Sequence, residues 1–298
     1  MSHIDLSGIF PPIPTPFESD GRLALGRLAE NVKRWNGQPL RGYVAGGSNG
    51  EFPLLTLDER VEVVRAVRQA SAPGRMVLAG SGMESTQATV ELTRRMADAG
   101  AEAVLVVTPS YYRSRMSAGA LTNHYAAVAD ASPIPVVLYN VPANTGVDLP
   151  LEAAVELSRH PNIAGMKESG GDVTKIARIL AAGDPKFQVL AGSAGFFLGA
   201  LAVGAVGCIA ALANVAAAPL DHLQSAFRSG EAETARTIQQ RLAEANVAVT
   251  SMFGIPGLKS AMDAIGFYGG PVRSPLQPLT KDEHDRLMAI LRRAGLLN

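Results

Sequence analysis

Apolar residues fall along this chain in two alternating rhythms. Short apolar runs bounded by turn residues read as buried strands. They lie at residues 9–14, 42–45, 76–79, 103–107, 136–139, 163–167, 188–191 and 206–210. Between them, apolar residues recur three and four apart, the spacing of an amphipathic helix. Residues 22–36 form one such stretch, closed by Gly37. Thr56-Leu57-Asp58-Glu59 is a capping box, with threonine and glutamate three apart. The helix behind it carries Val61, Val64 and Val67 on one side. From Ser85 onward a helix places Leu92, Met96 and Ala99 on one face and stops at Gly100. Another spans 117–130, and Pro150 suits the first turn of the next.

Strands alternating with helices imply a parallel sheet. Eight such units within roughly 230 residues is the length of a (β/α)8 TIM barrel, of the α/β class. An open doubly wound sheet would show a glycine fingerprint after an early strand. Gly47-Ser48-Asn49-Gly50 does not fit that fingerprint, and no Walker-type sequence is present. After Glu231 the strand rhythm ends. Residues 231–249 and 256–265 are helical in pattern. A second capping box, Thr280-Lys281-Asp282-Glu283, opens a last helix with Leu287, Ile290, Leu291 and Ala294 on one stripe. The expected organisation is a barrel over 1–230 carrying the active site. A helical C-terminal extension over 231–298 packs on the barrel or on a neighbouring subunit.

Composition narrows the function. The 298 residues are 47% hydrophobic and 18% charged, enough apolar material for a large core. Lys+Arg and Asp+Glu are equal at 27 each, so nothing favours binding to nucleic acid or an anionic membrane. The single cysteine, Cys208, rules out internal disulfides and a cysteine metal cage, and reads as a small core residue. The five histidines show no metal-ligand spacing, so no metal and no cofactor is expected. No nucleophile elbow of the serine hydrolases is present. The stretch 200–218 is apolar but broken by Gly204, Gly207 and Asn214, and reads as helix–strand–helix in a core, not a membrane span. Met1-Ser2-His3-Ile4-Asp5 lacks a basic region followed by an apolar one, so a cytoplasmic enzyme is expected.

The chemistry centres on Ile163-Ala164-Gly165-Met166-Lys167, an apolar run that ends in a lysine. A lysine is costly to bury. At the C-terminal end of a barrel strand it reaches the mouth where active sites lie. Desolvation favours the free amine of a lysine, and a free amine attacks carbonyls to form a Schiff base. The loops after the other strands converge on the same rim. They bring Ser48 and Asn49 in a glycine-rich turn, Tyr111 and Tyr112, Tyr139, Ser169, and Gly192 with Ser193. The glycine-rich turn suits a carboxylate. Tyr139 suits proton transfer to and from a lysine adduct. Glu51 and Asp172 read either as acid–base groups or as anchors of a turn and a helix start.

These residues resemble a family. Gly47-Ser48-Asn49-Gly50-Glu51, Thr108-Pro109-Ser110-Tyr111-Tyr112, Tyr139-Asn140-Val141-Pro142 and Gly165-Met166-Lys167-Glu168-Ser169 stand in the order found in the pyruvate-dependent Schiff-base lyases and synthases. That group includes dihydrodipicolinate synthase and N-acetylneuraminate lyase. The runs at 47–53, 79–91, 140–150, 170–174, 188–196 and 253–259 are similar to its 4-hydroxy-2-oxoglutarate aldolases. The resemblance implies a lyase that cleaves 4-hydroxy-2-oxoglutarate to pyruvate and glyoxylate. In it Lys167 is the nucleophile, and Tyr139, Ser48 and Tyr111 form a proton relay. Tyr111 reaches in from a neighbouring subunit of a homotetramer built as a dimer of dimers. Ser48 and Asn49 hold the pyruvate carboxylate, while Ser169, Gly192 and Ser193 shape the distal end. The synthases typically carry an arginine where Asn144 stands, and two threonines where Ser48 and Asn49 stand. Both departures point away from the synthase reaction. A longer-chain sugar-acid lyase and a non-catalytic oxo-acid sensor are the other readings. The sensor would need the same pocket but no nucleophile.

Overall fold

The computed structural model describes residues 4–297, so the first three residues of the N-terminal stretch read above lie outside the described residues. Eight strands form one sheet, every pairing parallel, in the order β1-β8-β7-β6-β5-β4-β3-β2. They are β1 (Gly8–Phe10), β2 (Gly42–Ala45), β3 (Met76–Gly80), β4 (Ala103–Val107), β5 (Val136–Asn140), β6 (Ile163–Glu168), β7 (Gln188–Ala191) and β8 (Gly207–Ile209). The sheet closes on itself between β1 and β2: Arg41 N–H donates to Ile9 O at 2.9 Å, and Val44 N–H to Pro11 O at 3.0 Å. The result is a TIM barrel.

The helices are α1 (Leu25–Trp35), α2 (Leu57–Ala70), α3 (Thr86–Asp98), α4 (Ala118–Ala131), α5 (Pro142–Thr145), α6 (Leu151–Leu157), α7 (Val173–Ala182), α8 (Phe197–Ala202), α9 (Ala217–Arg228), α10 (Ala232–Val247), α11 (Gly254–Ala264) and α12 (Lys281–Arg293). Both capping boxes are made: Thr56 accepts from Glu59 N–H, and Thr280 from Glu283 N–H. Strand alternation sorts the side chains into two cores. Phe10, Val44, Leu78, Leu105, Val137 and Ile209 fill the barrel interior. Val104, Val106, Leu138, Met166 and Val189 face outward against the helices. Truncating one of the interior leucines to alanine should cost about 2–5 kcal/mol. Cys208 is fully buried in the outer core.

Some boundaries differ from expectation for local reasons. The first strand stops at Phe10, because Pro11, Pro12 and Pro14 lack the N–H a ladder needs. The first helix begins at Leu25, not residue 22, because Leu23 pairs with Phe17 in an antiparallel bridge. Pro150 is the residue before α6 and not inside it. Residues 231–249 divide into α10 and a π-helical turn, Ala248–Met252. The C-terminal helices pack on this chain's own barrel. Gln239 Nε2 donates to Ala194 O at 2.8 Å, and Gln239 Oε1 accepts from Leu198 N–H at 3.0 Å. Among the described residues no helix is long and apolar enough to cross a membrane.

Candidate active site

Parallel pairing sets Tyr139 of β5 directly beside Lys167 of β6. Both side chains therefore point into the barrel, at its C-terminal end. Lys167 is 3% exposed and Tyr139 4%. The Lys167 ammonium lies over the Tyr139 ring, 4.0 Å from its centre, a favourable cation–π geometry. No carboxylate pairs with Lys167 among the described residues. Ser48 Oγ and the Tyr139 hydroxyl are 3.2 Å apart, so a proton can pass between them. Three residues placed 91 and 28 positions apart in sequence thus meet at one point of the rim.

The turn after β2 folds as a single 3-10 turn, Ser48–Gly50. Gly50 N–H returns to Gly47 O, and Glu51 N–H to Ser48 O. The N–H groups of Ser48 and Asn49 have no backbone acceptor among the described residues. Two adjacent, unpaired N–H donors beside the lysine suit a carboxylate. A cavity of about 710 Å³ opens next to them, lined in part by Ser48, Thr108, Asn144 and Thr145. The Thr108 hydroxyl is buried there without a partner.

The distal side is formed by β6 and β7. Ser169 N–H donates to Asn140 O at 2.9 Å, and Gly192 N–H to Glu168 O at 2.7 Å. Ser169 Oγ is buried and unpartnered, which leaves it available to a ligand. Gly192 makes room for it: a Cβ there would sit 1.8 Å from Ser169 Oγ. Ser193 is committed elsewhere. Its hydroxyl accepts from Asn246 Nδ2 at 3.0 Å and from Gly195 N–H at 3.2 Å, bracing the loop against α10.

The remaining sequence-predicted residues divide. Asn144 lies exposed on the cavity wall. Tyr111 is 77% exposed and touches Tyr112 edge-on at 5.0 Å; within one chain it makes no hydrogen bond or ring contact to Ser48, Tyr139 or Lys167. Asp172 caps α7 by accepting from Lys175 N–H, the anchoring alternative. Glu51 is buried and faces Lys259, so it too is an anchor.

Several contributors were assigned no role from the sequence. Glu84 accepts the N–H groups of Ser110 and Tyr111, both at 2.9 Å, and so fixes the base of the tyrosine loop. Burial opposes it, yet these donors hold the Glu84 carboxyl below its ordinary value. Glu168 is fully buried behind the sheet, where Asn140 Nδ2 donates to it at 2.9 Å. Burial pushes its carboxyl above the ordinary value, against the pull of Lys175. Arg113 lies over Gly146, where a Cβ would come within 2.7 Å of Nη1. A guanidinium therefore sits two residues from Asn144. None of these could be found by spacing, because each pairs residues from different loops.

Residues 5–294 match the family model described as the dihydrodipicolinate synthetase family. A 4-hydroxy-tetrahydrodipicolinate synthase of Haloarcula marismortui is 37% identical over 98% of this chain and 94% of its own length. One of Methanoculleus marisnigri is 38% identical over 97% and 99%. An uncharacterized DapA-like lyase of Halobacterium salinarum is 37% identical over 99% and 96%. Among solved structures, a dihydrodipicolinate synthase of Bacillus anthracis superposes with a TM-score of 0.93 at 31% identity, over 97% of this chain and 98% of its own. That of Acinetobacter baumannii, complexed with pyruvate, gives 0.93 at 30% identity, over 98% and 100%.

Proposed function

The chain belongs to the dihydrodipicolinate synthetase family, and on that premise we propose that it cleaves 4-hydroxy-2-oxoglutarate to pyruvate and glyoxylate. It is a Schiff-base-forming carbon–carbon lyase. The observation that carries the chemistry is the meeting of Lys167, Tyr139 and Ser48 at one point of the barrel mouth.

The steps follow from that geometry. The Lys167 amine attacks the C2 ketone, and loss of water gives a protonated Schiff base. Tyr139, relayed through Ser48, takes the proton of the C4 hydroxyl. The C3–C4 bond breaks, its electron pair flows into the iminium, and glyoxylate leaves. The enamine that remains takes a proton at C3, and water releases pyruvate and restores the amine. The N–H groups of Ser48 and Asn49 hold the C1 carboxylate throughout. Ser169 Oγ, unpartnered in the wall, meets the distal end. Tyr111 completes the relay across an interface of a homotetramer built as a dimer of dimers. Its exposure, and that of Tyr112 at 69%, support this assembly. Mixing inactive Tyr111→Phe and Lys167→Ala chains with proven subunit exchange should restore activity; no restoration would place Tyr111 in its own chain's site.

The synthase reaction, condensing pyruvate with an aldehyde, is the second reading. Two observations favour it: the relatives above carry that name, and Arg113 places a cation near Asn144. Asn144 weighs against it, because a neutral side chain stands where the resemblance implies an arginine for the aldehyde's carboxylate. Losing such a partner typically costs about 2–5 kcal/mol of binding. Two measurements decide. Borohydride with pyruvate should fix a pyruvyl adduct on Lys167, located by peptide mass spectrometry. Assayed side by side, kcat/KM for 4-hydroxy-2-oxoglutarate should exceed that for pyruvate with aspartate semialdehyde and that for N-acetylneuraminate. A win for aspartate semialdehyde replaces the aldolase reading with the synthase.

A further inference from the structure

We infer that Lys259, in the C-terminal extension, is a positioning residue for substrate: it holds the turn at residues 47–51 in its binding conformation through Glu51. This rests on the proposal above that the turn receives the substrate carboxylate.

Among the described residues, Glu51 is the one non-glycine residue with positive φ, at 57°. An L-residue occupies that region only where its surroundings over-determine it. Here the surroundings are explicit. Glu51 is 1% exposed, and its Oε1 is paired with the Lys259 ammonium at 2.6 Å. Its Oε2 accepts from Arg273 N–H at 2.9 Å. Lys259 itself is 1% exposed, and its Nζ also donates to Pro271 O at 2.7 Å. From the other side, Thr15 Oγ1 donates to Gly50 O at 2.7 Å. The turn is thus gripped from beneath by two distant parts of the chain, one of them α11. Two residues separate the gripped carboxylate from Ser48, whose hydroxyl meets that of Tyr139. A fully buried ion pair of this kind contributes little net stability compared with a packed apolar pair. Its directional effect is what remains: it fixes where the turn sits.

The geometry makes an orientation role separable from a folding role. The Glu51→Gln/Lys259→Met chain removes both charges together and leaves no stranded ion. Two readouts are needed on the full-length protein. The first is hydrogen–deuterium exchange of peptides covering 46–55 with no ligand present, which does not depend on any functional reading. The second is the pyruvate concentration that gives half-maximal borohydride trapping at Lys167. Exchange in the turn should quicken by about tenfold or more, while strand β3 is unchanged. The half-maximal pyruvate concentration should rise about tenfold, with the maximal trapping rate within about twofold of the parent. A folded double variant whose turn exchanges as slowly as the parent overturns the clamp. Faster exchange with an unchanged pyruvate dependence also overturns the positioning role, and locates the fault in the assignment of the turn to the carboxylate.

Discussion

Lys167 and Lys259 are the two buried lysines of the described chain, 3% and 1% exposed. They differ in company. Lys259 has a carboxylate 2.6 Å away, a carbonyl at 2.7 Å and the Phe17 ring beneath it. Lys167 has only the face of Tyr139. Burial lowers the pKa of Lys259, and Glu51 opposes that shift by charge and hydrogen bonding. The contrast separates two uses of an expensive group. An ammonium matched by a carboxylate serves geometry, because its charge is spent on one fixed partner. An amine left unmatched at the C-terminal end of the barrel is available to a substrate. Burial by itself distinguishes neither.

Exchanging each lysine for methionine should make the contrast measurable. In Lys167→Met, activity should fall by at least about 10⁴-fold, since no second amine reaches the site. Its stability to urea should hold or rise, because no partner is stranded and an unmatched polar group is removed. Retained activity, or an adduct trapped on Lys259, would erase the distinction between the two.

The second substitution should behave in the opposite way. Lys259→Met leaves the Glu51 carboxylate buried without its counter-ion, which typically costs about 3–5 kcal/mol. The Glu51→Gln/Lys259→Met chain should recover most of that loss in the same urea titration. If the single and double variants are equally destabilised, Lys259 is supporting something other than Glu51.

The two lysines also mark how far the sequence could be read. Lys167 was legible because strand rhythm and position coincide: an apolar run, a lysine, then a glycine-rich turn. Seven of the eight strands begin and end within one residue of the apolar runs that predicted them, because buried parallel strands are written as local runs. That Ser48 and Tyr139 share one rim followed from barrel topology once the strands were counted; their pairing was what the family resemblance implied. Lys259 was not legible. It lies in a helix, and its partner Glu51 is 208 positions away, joined only by the packing of the extension on the barrel. Arg113 over Gly146 was hidden for the same reason, and it tempers the argument from Asn144. Ser193 reads as a ligand group because it is a serine in a rim loop; the packing that joins its hydroxyl to Asn246, 53 positions away, has no local signature.

A third buried base tests whether lack of a counter-ion alone marks a functional amine. His124 is 7% exposed, with Nε2 unpartnered and Nδ1 2.9 Å from Thr86 Oγ1. Burial pushes its pKa down to about 4, which the nearby Glu84 only partly opposes. It packs edge-on against Tyr125 behind the sheet, and among the described residues no tyrosine–serine pair contacts it. Its unmatched state should therefore appear in stability and not in catalysis. Between pH 6.5 and about 4 the unfolded chain binds a proton at this histidine and the folded chain does not. Stability then rises with pH across that window and is lost as pH falls through it, by on the order of 3 kcal/mol in total. Glu84, whose pKa lies below its ordinary 4.5, adds its own acid sensitivity only beneath that value, and Glu168, held above 4.5 by burial, slopes the other way in parent and variant alike, so the difference that His124→Phe makes across the window belongs to His124. His124→Phe should flatten urea stability between pH 6.5 and 4.5 and leave the pH profile of kcat unchanged. A histidine variant that shifts the kcat profile would mean that an unmatched buried base can act at a distance from the rim. The absence of a carboxylate would then no longer suffice to set Lys167 apart.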